Sequence, residues 1–358
     1  MKKLVSLILA LILSLGVCAA ALAETYEIGM ITDIGTIDDK SFNQGTWEAI
    51  KAYAEANGKT YNYYQPSAQS TEIYVERIDQ AIADGAKVIV TPGYLFEEPI
   101  FIAQDKYPDV NFVLIDGNPH NADYSEYRTE KNAVGIVFAE EQSGFLAGYA
   151  AVKDGYTKLG FMGGMAVPAV VRYGYGFVQG ADYAAKELGL TDVAINYNYT
   201  GGFAATPEAQ AMASSWYNDG IQVIFACGGA VGNSVMAAAE ASKDGKVIGV
   251  DVDQSSESAT VITSAMKGLS AAVTQALTAY YDGKFPGGEA WVLGADKDGV
   301  ALPMATSKFK TFTQADYDAI YAKLAKGEVV PQKDAKDGTA IESPVDLKPE
   351  IAKVNLIG

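Results

Sequence analysis

Short apolar runs alternate with amphipathic stretches along nearly the whole chain. Residues 26–31, 60–64, 87–90 and 111–115, and then 159–162, 194–199, 223–226 and 247–250, read as strands, most of them closed by Gly or Asp within a few residues. The segments between them carry helical spacing. Strands separated by helices predict parallel sheets with helical crossovers, an α/β architecture. Residues 139–151 read as a helix leading from the first group of strands to the second, with Phe145 and Leu146 on its buried side. After Asp251 come the polar stretch Ser255-Ser256-Glu257-Ser258, a short strand at 260–263 and a helix from about 269 to 281. That order predicts a return to the first group. Residues 333–358, polar and carrying Pro344 and Pro349, read as a surface tail.

A weak internal repeat organises this pattern. Asp84-Gly85-Ala86-Lys87-Val88-Ile89 is echoed by Asp219-Gly220-Ile221-Gln222-Val223-Ile224, an offset of 135 residues. The same offset carries Asp116 onto Asp251, and each acid closes an apolar strand. Two structurally similar lobes explain both matches. In such lobes the two acids occupy equivalent positions and face one cleft.

Residues 33–45 join the first strand to the first helix, on which Trp47, Ile50 and Ala54 recur before Gly58. The ends of parallel strands are where α/β proteins hold small ligands. Ser41 is the natural N-cap and forms a capping box with Gln44, which leaves Phe42 and Asn43 in the first turn beside unpaired amides. Phe42 taken alone reads first as a lobe-packing residue, and its polar neighbours bring the ligand reading level with that one. Asp33, Asp38 and Asn43 around it bring polar partners for a ligand.

The first 23 residues follow a secretory pattern: Lys2 and Lys3, an apolar stretch over 4–17, and Ala21-Leu22-Ala23 as a small-x-small cleavage site. The mature chain is therefore expected to begin at Glu24, in a secreted, extracytoplasmic location. Cys18 raises lipid attachment as an alternative, although Val17 precedes it where lipoprotein sites carry Gly, Ala or Ser. No later run approaches the roughly 18 apolar residues of a membrane span. Removing a leader with two lysines and no acids takes the net charge from −17 to −19, which makes nucleic acid and anionic membranes poor partners. About 335 mature residues exceed one comfortable core, so two domains are expected.

Composition also narrows the chemistry. Cys227 can make no internal disulfide once Cys18 is removed and reads as a small buried residue. His120, the single histidine, reads as a solvated turn residue in Gly117-Asn118-Pro119-His120-Asn121. No zinc-type cluster exists, and Ser/His/Asp catalysis would rest on that one loop histidine. Gly163-Gly164 and Gly228-Gly229 match neither a P-loop nor a dinucleotide fingerprint, and glycines there let the backbone turn or approach a ligand. What remains are carboxylates, amides and aromatics at strand ends, suited to a neutral hydroxylated molecule with a flat ring.

Several segments together resemble the basic membrane protein family of substrate-binding proteins, typified by the purine nucleoside receptor of spirochaetes. They are Thr32-Asp33 through Ser41-Phe42-Asn43-Gln44, Tyr107-Pro108-Asp109 with Ile115-Asp116-Gly117, and Gly144-Phe145-Leu146-Ala147-Gly148-Tyr149. Further pieces are Gly160-Phe161-Met162-Gly163-Gly164 with Pro168, Gly176-Phe177, and Ile248-Gly249-Val250-Asp251-Val252-Asp253-Gln254. The resemblance covers the mature chain to about residue 305. It implies a type I periplasmic-binding-protein fold, two doubly wound parallel-sheet lobes joined by a hinge, that delivers a nucleoside to an ABC importer. Lobe boundaries follow as expectations: 24–138 with about 255–284 for the N-terminal lobe, 139–254 with about 285–305 for the C-terminal lobe, and a helical segment and tail over 306–358.

Carried over by position, Phe42 and Phe203 resemble the two aromatic walls of a base slot. Asp33, Asn43 and Asp116 face the cleft from the first lobe. Asp251 resembles the ribose-hydroxyl acceptor, Gly229 offers backbone contact, and Lys267 brings a cation, although as a residue type it could also be a solvated lysine before a helix. Phe203 stands in Gly201-Gly202-Phe203-Ala204-Ala205, where relatives often carry an acid soon after the aromatic, and Tyr173 stands where relatives carry Phe. The resemblance implies a monomer with no cofactor, no metal and no catalytic residue. A sugar or signalling-molecule receptor on the same fold is the alternative reading. A nucleoside hydrolase is disfavoured by the lack of a metal-binding Asp cluster or a catalytic pair.

Overall fold

A computed structural model describes residues 25–336 and 339–357. The secretory leader expected at 1–23 and Cys18 lie outside the described residues.

The chain begins with β1 (Ile28–Ile31), α1 (Phe42–Asn57), β2 (Tyr61–Tyr64), α2 (Thr71–Ala83), β3 (Val88–Pro92), α3 (Glu97–Lys106), β4 (Asn111–Ile115) and β5 (Ala133–Phe138). It continues with α4 (Glu140–Lys153), β6 (Lys158–Gly163), α5 (Pro168–Leu188), β7 (Val193–Tyr199), α6 (Pro207–Asn218), β8 (Val223–Cys227), α7 (Val231–Ala241), β9 (Lys246–Asp251) and β10 (Val261–Lys267). The remainder holds α8 (Leu269–Tyr281), β11 (Glu289–Leu293), β12 (Val300–Ala301), α9 (Gln314–Ala325), the hairpin β13 (Ala335–Lys336) and β14 (Thr339–Ala340), and β15 (Ala352–Leu356).

These strands form two sheets. One runs β11-β5-β4-β3-β1-β2 and is parallel throughout. The other runs β12-β10-β9-β8-β6-β7-β15 and is parallel except for β12. Helices cover both faces, so strands such as β3 and β8 are buried at every residue and read as continuous apolar runs. The 135-residue echo is a structural equivalence: Asp84-Gly85 and Asp219-Gly220 each end a helix ahead of β3 or β8, with φ of 107° and 92° at the glycines. Asp116 and Asp251, which end β4 and β9, share the left-handed backbone, at 65° and 66°.

One helix pair of the second lobe packs backbone against backbone. On α4 and α5, Gly144, Gly148, Gly176 and Gly180 let the two backbones touch; a Cβ on any of them would lie 2.0 to 2.1 Å from a carbonyl oxygen of the other helix. No side chain fits there. The two Gly-x-x-x-Gly pairs therefore set how close α4 and α5 can approach.

Three expectations about lobe membership are corrected. The strand expected at 260–263 to return to the first lobe is β10, which pairs with β9 inside the second sheet, Ala265 beside Val250. The chain crosses back only after Lys267, where α8 packs on α1. Within 285–305, expected in the second lobe, β11 completes the first sheet beside β5, and only β12 joins the second. The tail is more than a surface segment: β15 extends the second sheet beside β7, and Asp182 on α5 accepts hydrogen bonds from the amides of Ile351 and Ala352 at 2.7 and 2.9 Å. Apolar spacing marks a segment as strand without saying which sheet edge receives it.

Candidate functional site

A cavity of about 520 Å³ opens between the lobes at the carboxyl ends of both sheets. Asp33, Phe42, Asn43 and Asp116 line it from the first lobe, and Phe203, Gly229, Asp251 and Lys267 from the second. The fold thus brings all eight expected residues to one place.

The strand-to-helix junction is organised by an acid that the sequence reading did not use. Asp39 accepts hydrogen bonds from the backbone amides of Ser41, Asn43 and Gln44 and from the Asn43 side chain, at 2.8 to 3.1 Å. A carboxylate there satisfies the orphan amides and suits the positive helix end. The expected capping box is therefore absent: the Ser41 side chain makes no capping bond, and Gln44 Oε1 accepts from the amide of Lys40. The Ser41 hydroxyl, released from capping, donates to Asp251 Oδ2 at 2.6 Å in the other lobe. Asp39 shares a local signal with many N-terminal acids, and only its position two residues before Ser41 could have singled it out.

Asp33 follows β1 by two residues. Its Oδ1 accepts from the amide of Gly35 at 2.6 Å and from Asn43 Nδ2 at 2.8 Å, while Asn43 Oδ1 accepts from the amide of Asp33. Asn43 is thus a rivet that orients Asp33. Burial pushes the Asp33 carboxyl up to about 6, against the two hydrogen bonds that favour its charged form.

Lys267, the last residue of β10, is buried rather than solvated. Its ammonium pairs with Asp116 and lies 3.4 Å from Glu140 and 3.9 Å from Asp251. It also sits over the Phe42 ring, 4.8 Å from the centroid. Burial opposes the charge on Lys267, but these three carboxylates outweigh it and raise the ammonium above its ordinary value. Burial pushes Asp116, Glu140 and Asp251 upward in turn. One ammonium among three buried carboxylates leaves no positive charge for an anionic ligand. Asp116 Oδ1 has no hydrogen-bond partner among the described residues.

Phe203 occupies the loop between β7 and α6, nested among glycines. A Cβ on Gly164 would lie 2.5 Å from the Phe203 ring, and a Cβ on Gly228 would lie 2.6 Å from the Gly164 amide. These glycine pairs let three loops converge on the ring. Phe42 and Phe203 both line the cavity, one from each lobe. Tyr173 forms part of the floor, its hydroxyl donating to the Ala265 carbonyl at 3.2 Å. The sequence reading missed the apolar lining contributed by Tyr94, Met165, Val167 and Val170.

Cys227 is buried at the cavity wall, where burial pushes its thiol well up. His120, expected to be solvated, is buried instead: its Nε2 lies 3.2 Å from Glu97 Oε2 and its ring stacks on Tyr124. It does not line the cavity. Among the described residues, no group of His, Cys, Asp and Glu is arranged to hold a metal ion, and no helix is long and apolar enough to cross a membrane.

Two doubly wound lobes, joined by three crossings with a polar and aromatic cavity between them, define a solute-binding protein of the type I periplasmic class. The chain belongs to the Bmp family, described as ABC transporter substrate-binding protein PnrA-like, whose model matches residues 26–330. A relative named ABC transporter nucleoside-binding protein BmpA, from Lactococcus lactis subsp. cremoris, is 30% identical over 86% of this chain and 89% of its own. Basic membrane protein D of Borreliella burgdorferi is 31% identical over 85% of each chain. The structure of an ABC transporter solute-binding protein from Aeropyrum pernix superposes with a TM-score of 0.73 at 23% identity, covering 86% of this chain and 94% of that one. The β15 strand lies beyond the region that the family model matches.

Proposed function

We propose that this substrate-binding protein captures a purine nucleoside between its lobes, outside the cytoplasm, and delivers it to the membrane permease of an ABC importer. The observation that carries the reading is the pair of aromatic rings, one from each lobe, lining a cavity whose other polar groups are chiefly carboxylates and amides. A flat base stacked on such rings would gain about 1 to 3 kcal/mol per ring. Asp251, Asp116 and Asp33 supply acceptors for ribose hydroxyls and base N–H groups, and the neutralised Lys267 disfavours phosphorylated forms. The name of the Lactococcus relative supports the nucleoside class. Ligand contacts to both lobes stabilise the closed arrangement preferentially, which is the binding step a permease would sense. The reading includes a leader-directed monomer, with lipid attachment through Cys18 as the alternative to a free secreted form.

Titration calorimetry with inosine, guanosine, adenosine and free pentoses tests this. Binding of at least one purine nucleoside, lost with Phe42→Ala, is expected. Binding of pentoses alone would select a sugar receptor, and release of free base from inosine would select a hydrolase.

A further inference from the structure

The cleft is also bridged directly by protein groups, of which the ligand reading uses only Asp251. Gln254 follows β9 and is buried. Its Oε1 accepts from the Val250 amide and its own backbone amide donates to Ser264 Oγ, both at 3.0 Å, which anchors it to β9 and β10 of the second lobe. Its remaining group, Nε2, donates to the carbonyl oxygen of Lys40 in the first lobe at 2.6 Å. Beside it the Ser41 hydroxyl reaches Asp251 Oδ2, and Lys40 Nζ lies 3.8 Å from Glu257. Lys40 takes a left-handed backbone, φ 61°, unusual for a residue with a side chain. Lys40 and Ser41 of the first lobe thus meet the 251–257 turn of the second at three points.

We propose that Gln254, with Ser41, is an interlobe latch: it adds free energy to the closed arrangement independently of the ligand and positions Asp251 for it. The inference goes beyond the nucleoside reading. Gln254 is suited to the task because its acceptor is spent within its own lobe, leaving a donor held in one orientation toward the other. Ser41 occupies Asp251 Oδ2, so the carboxylate presents Oδ1 at a set angle. Opening must break both bonds and expose a buried amide, which slows dissociation more than association. Gly45 marks the close approach, since a Cβ there would lie 2.6 Å from Val252 Cγ1 across the same seam.

The test labels one exposed site on each lobe and measures interlobe distance by single-molecule energy transfer, first with no nucleoside present. Gln254→Glu, compared with the parent at pH 9 so that its buried carboxyl is ionised, keeps the acceptor for Val250 but cannot donate to Lys40, and Ser41→Ala removes the second bond without disturbing the anchor. Both variants are expected to shift the population toward the longer distance. With inosine as probe, dissociation should quicken by about tenfold for Gln254→Glu while association stays within about twofold. Ser41→Ala also guards against a Gln254 variant that fails to fold. Distance distributions that superimpose on the parent protein for the folded variants would overturn the latch. Because they are recorded without nucleoside, a failure of inosine to bind would count against the nucleoside reading alone.

Discussion

Replacing Asp33 by asparagine offers a direct measure of what the site costs the fold. Asp33 Oδ1 accepts two hydrogen bonds that an amide oxygen can also accept, so the variant keeps the Gly35 and Asn43 contacts. What it loses is a carboxyl that burial holds at about 6, against an ordinary 3.8. That rise corresponds to about 3 kcal/mol, at roughly 1.36 kcal/mol for each pH unit. The sign follows from proton counting. Between about pH 4 and 6 the folded protein binds the proton that the unfolded chain has released, so the Asp33 contribution to stability falls as pH rises through that window and then levels off. The Asp33→Asn variant has no such loss. Without ligand it should therefore match the parent near pH 4 and exceed it by up to about 3 kcal/mol at pH 7, a gain of about 5 °C in melting temperature for a chain of this size. Melting curves of both proteins from pH 4 to 8, without ligand, give the answer. A flat difference, or a variant that loses ground as pH rises, would refute the account of Asp33 as a buried, costly group. A gain in stability coupled to weaker nucleoside binding is the exchange expected of a functional position.

The remaining expectations concern other parts of the cleft and frame. Phe203→Ala should weaken inosine binding by about 1 to 3 kcal/mol, read by calorimetry, with little change in melting temperature because the ring is only partly buried. Lys267→Met should cost about 3 to 5 kcal/mol in urea unfolding, since it leaves Asp116 without its cation and Glu140 and Asp251 with only Arg172 and the Ser41 hydroxyl, respectively. Those acids then prefer their protons, so the loss should be larger at pH 8 than at pH 5; an equal loss at both would argue against the cluster. Gly148→Ala forces a Cβ to 2.1 Å from the Phe177 carbonyl oxygen. Thermal or urea unfolding should show it destabilised by at least the usual overpacking cost of about 1 to 3 kcal/mol. Ending the chain at residue 330 removes β15 and bares the β7 edge, so light scattering should reveal association that the full chain lacks.

The alternation of apolar runs and helical spacing by itself determined the α/β class and the doubling into two lobes, because strand burial and helix amphipathicity are local demands written into residue spacing. The 135-residue offset went further, matching Asp116 with Asp251 before either had a backbone. Asp33, Phe42 and Asn43 were legible in the strand-to-helix junction and Asp116 with Asp251 in the offset, whereas Phe203, Gly229 and Lys267 came only from the resemblance to the basic membrane protein family. Only the tertiary structure decided where β10, β11 and β15 belong, since a strand's pattern is satisfied by any open edge. It also decided that Asp39 rather than Ser41 caps α1, that His120 is buried, and that Lys267 is spent on three carboxylates. Such outcomes depend on partners distant in the chain, as with Ser41 and Asp251, 210 residues apart, and competition among distant partners leaves no trace in local spacing.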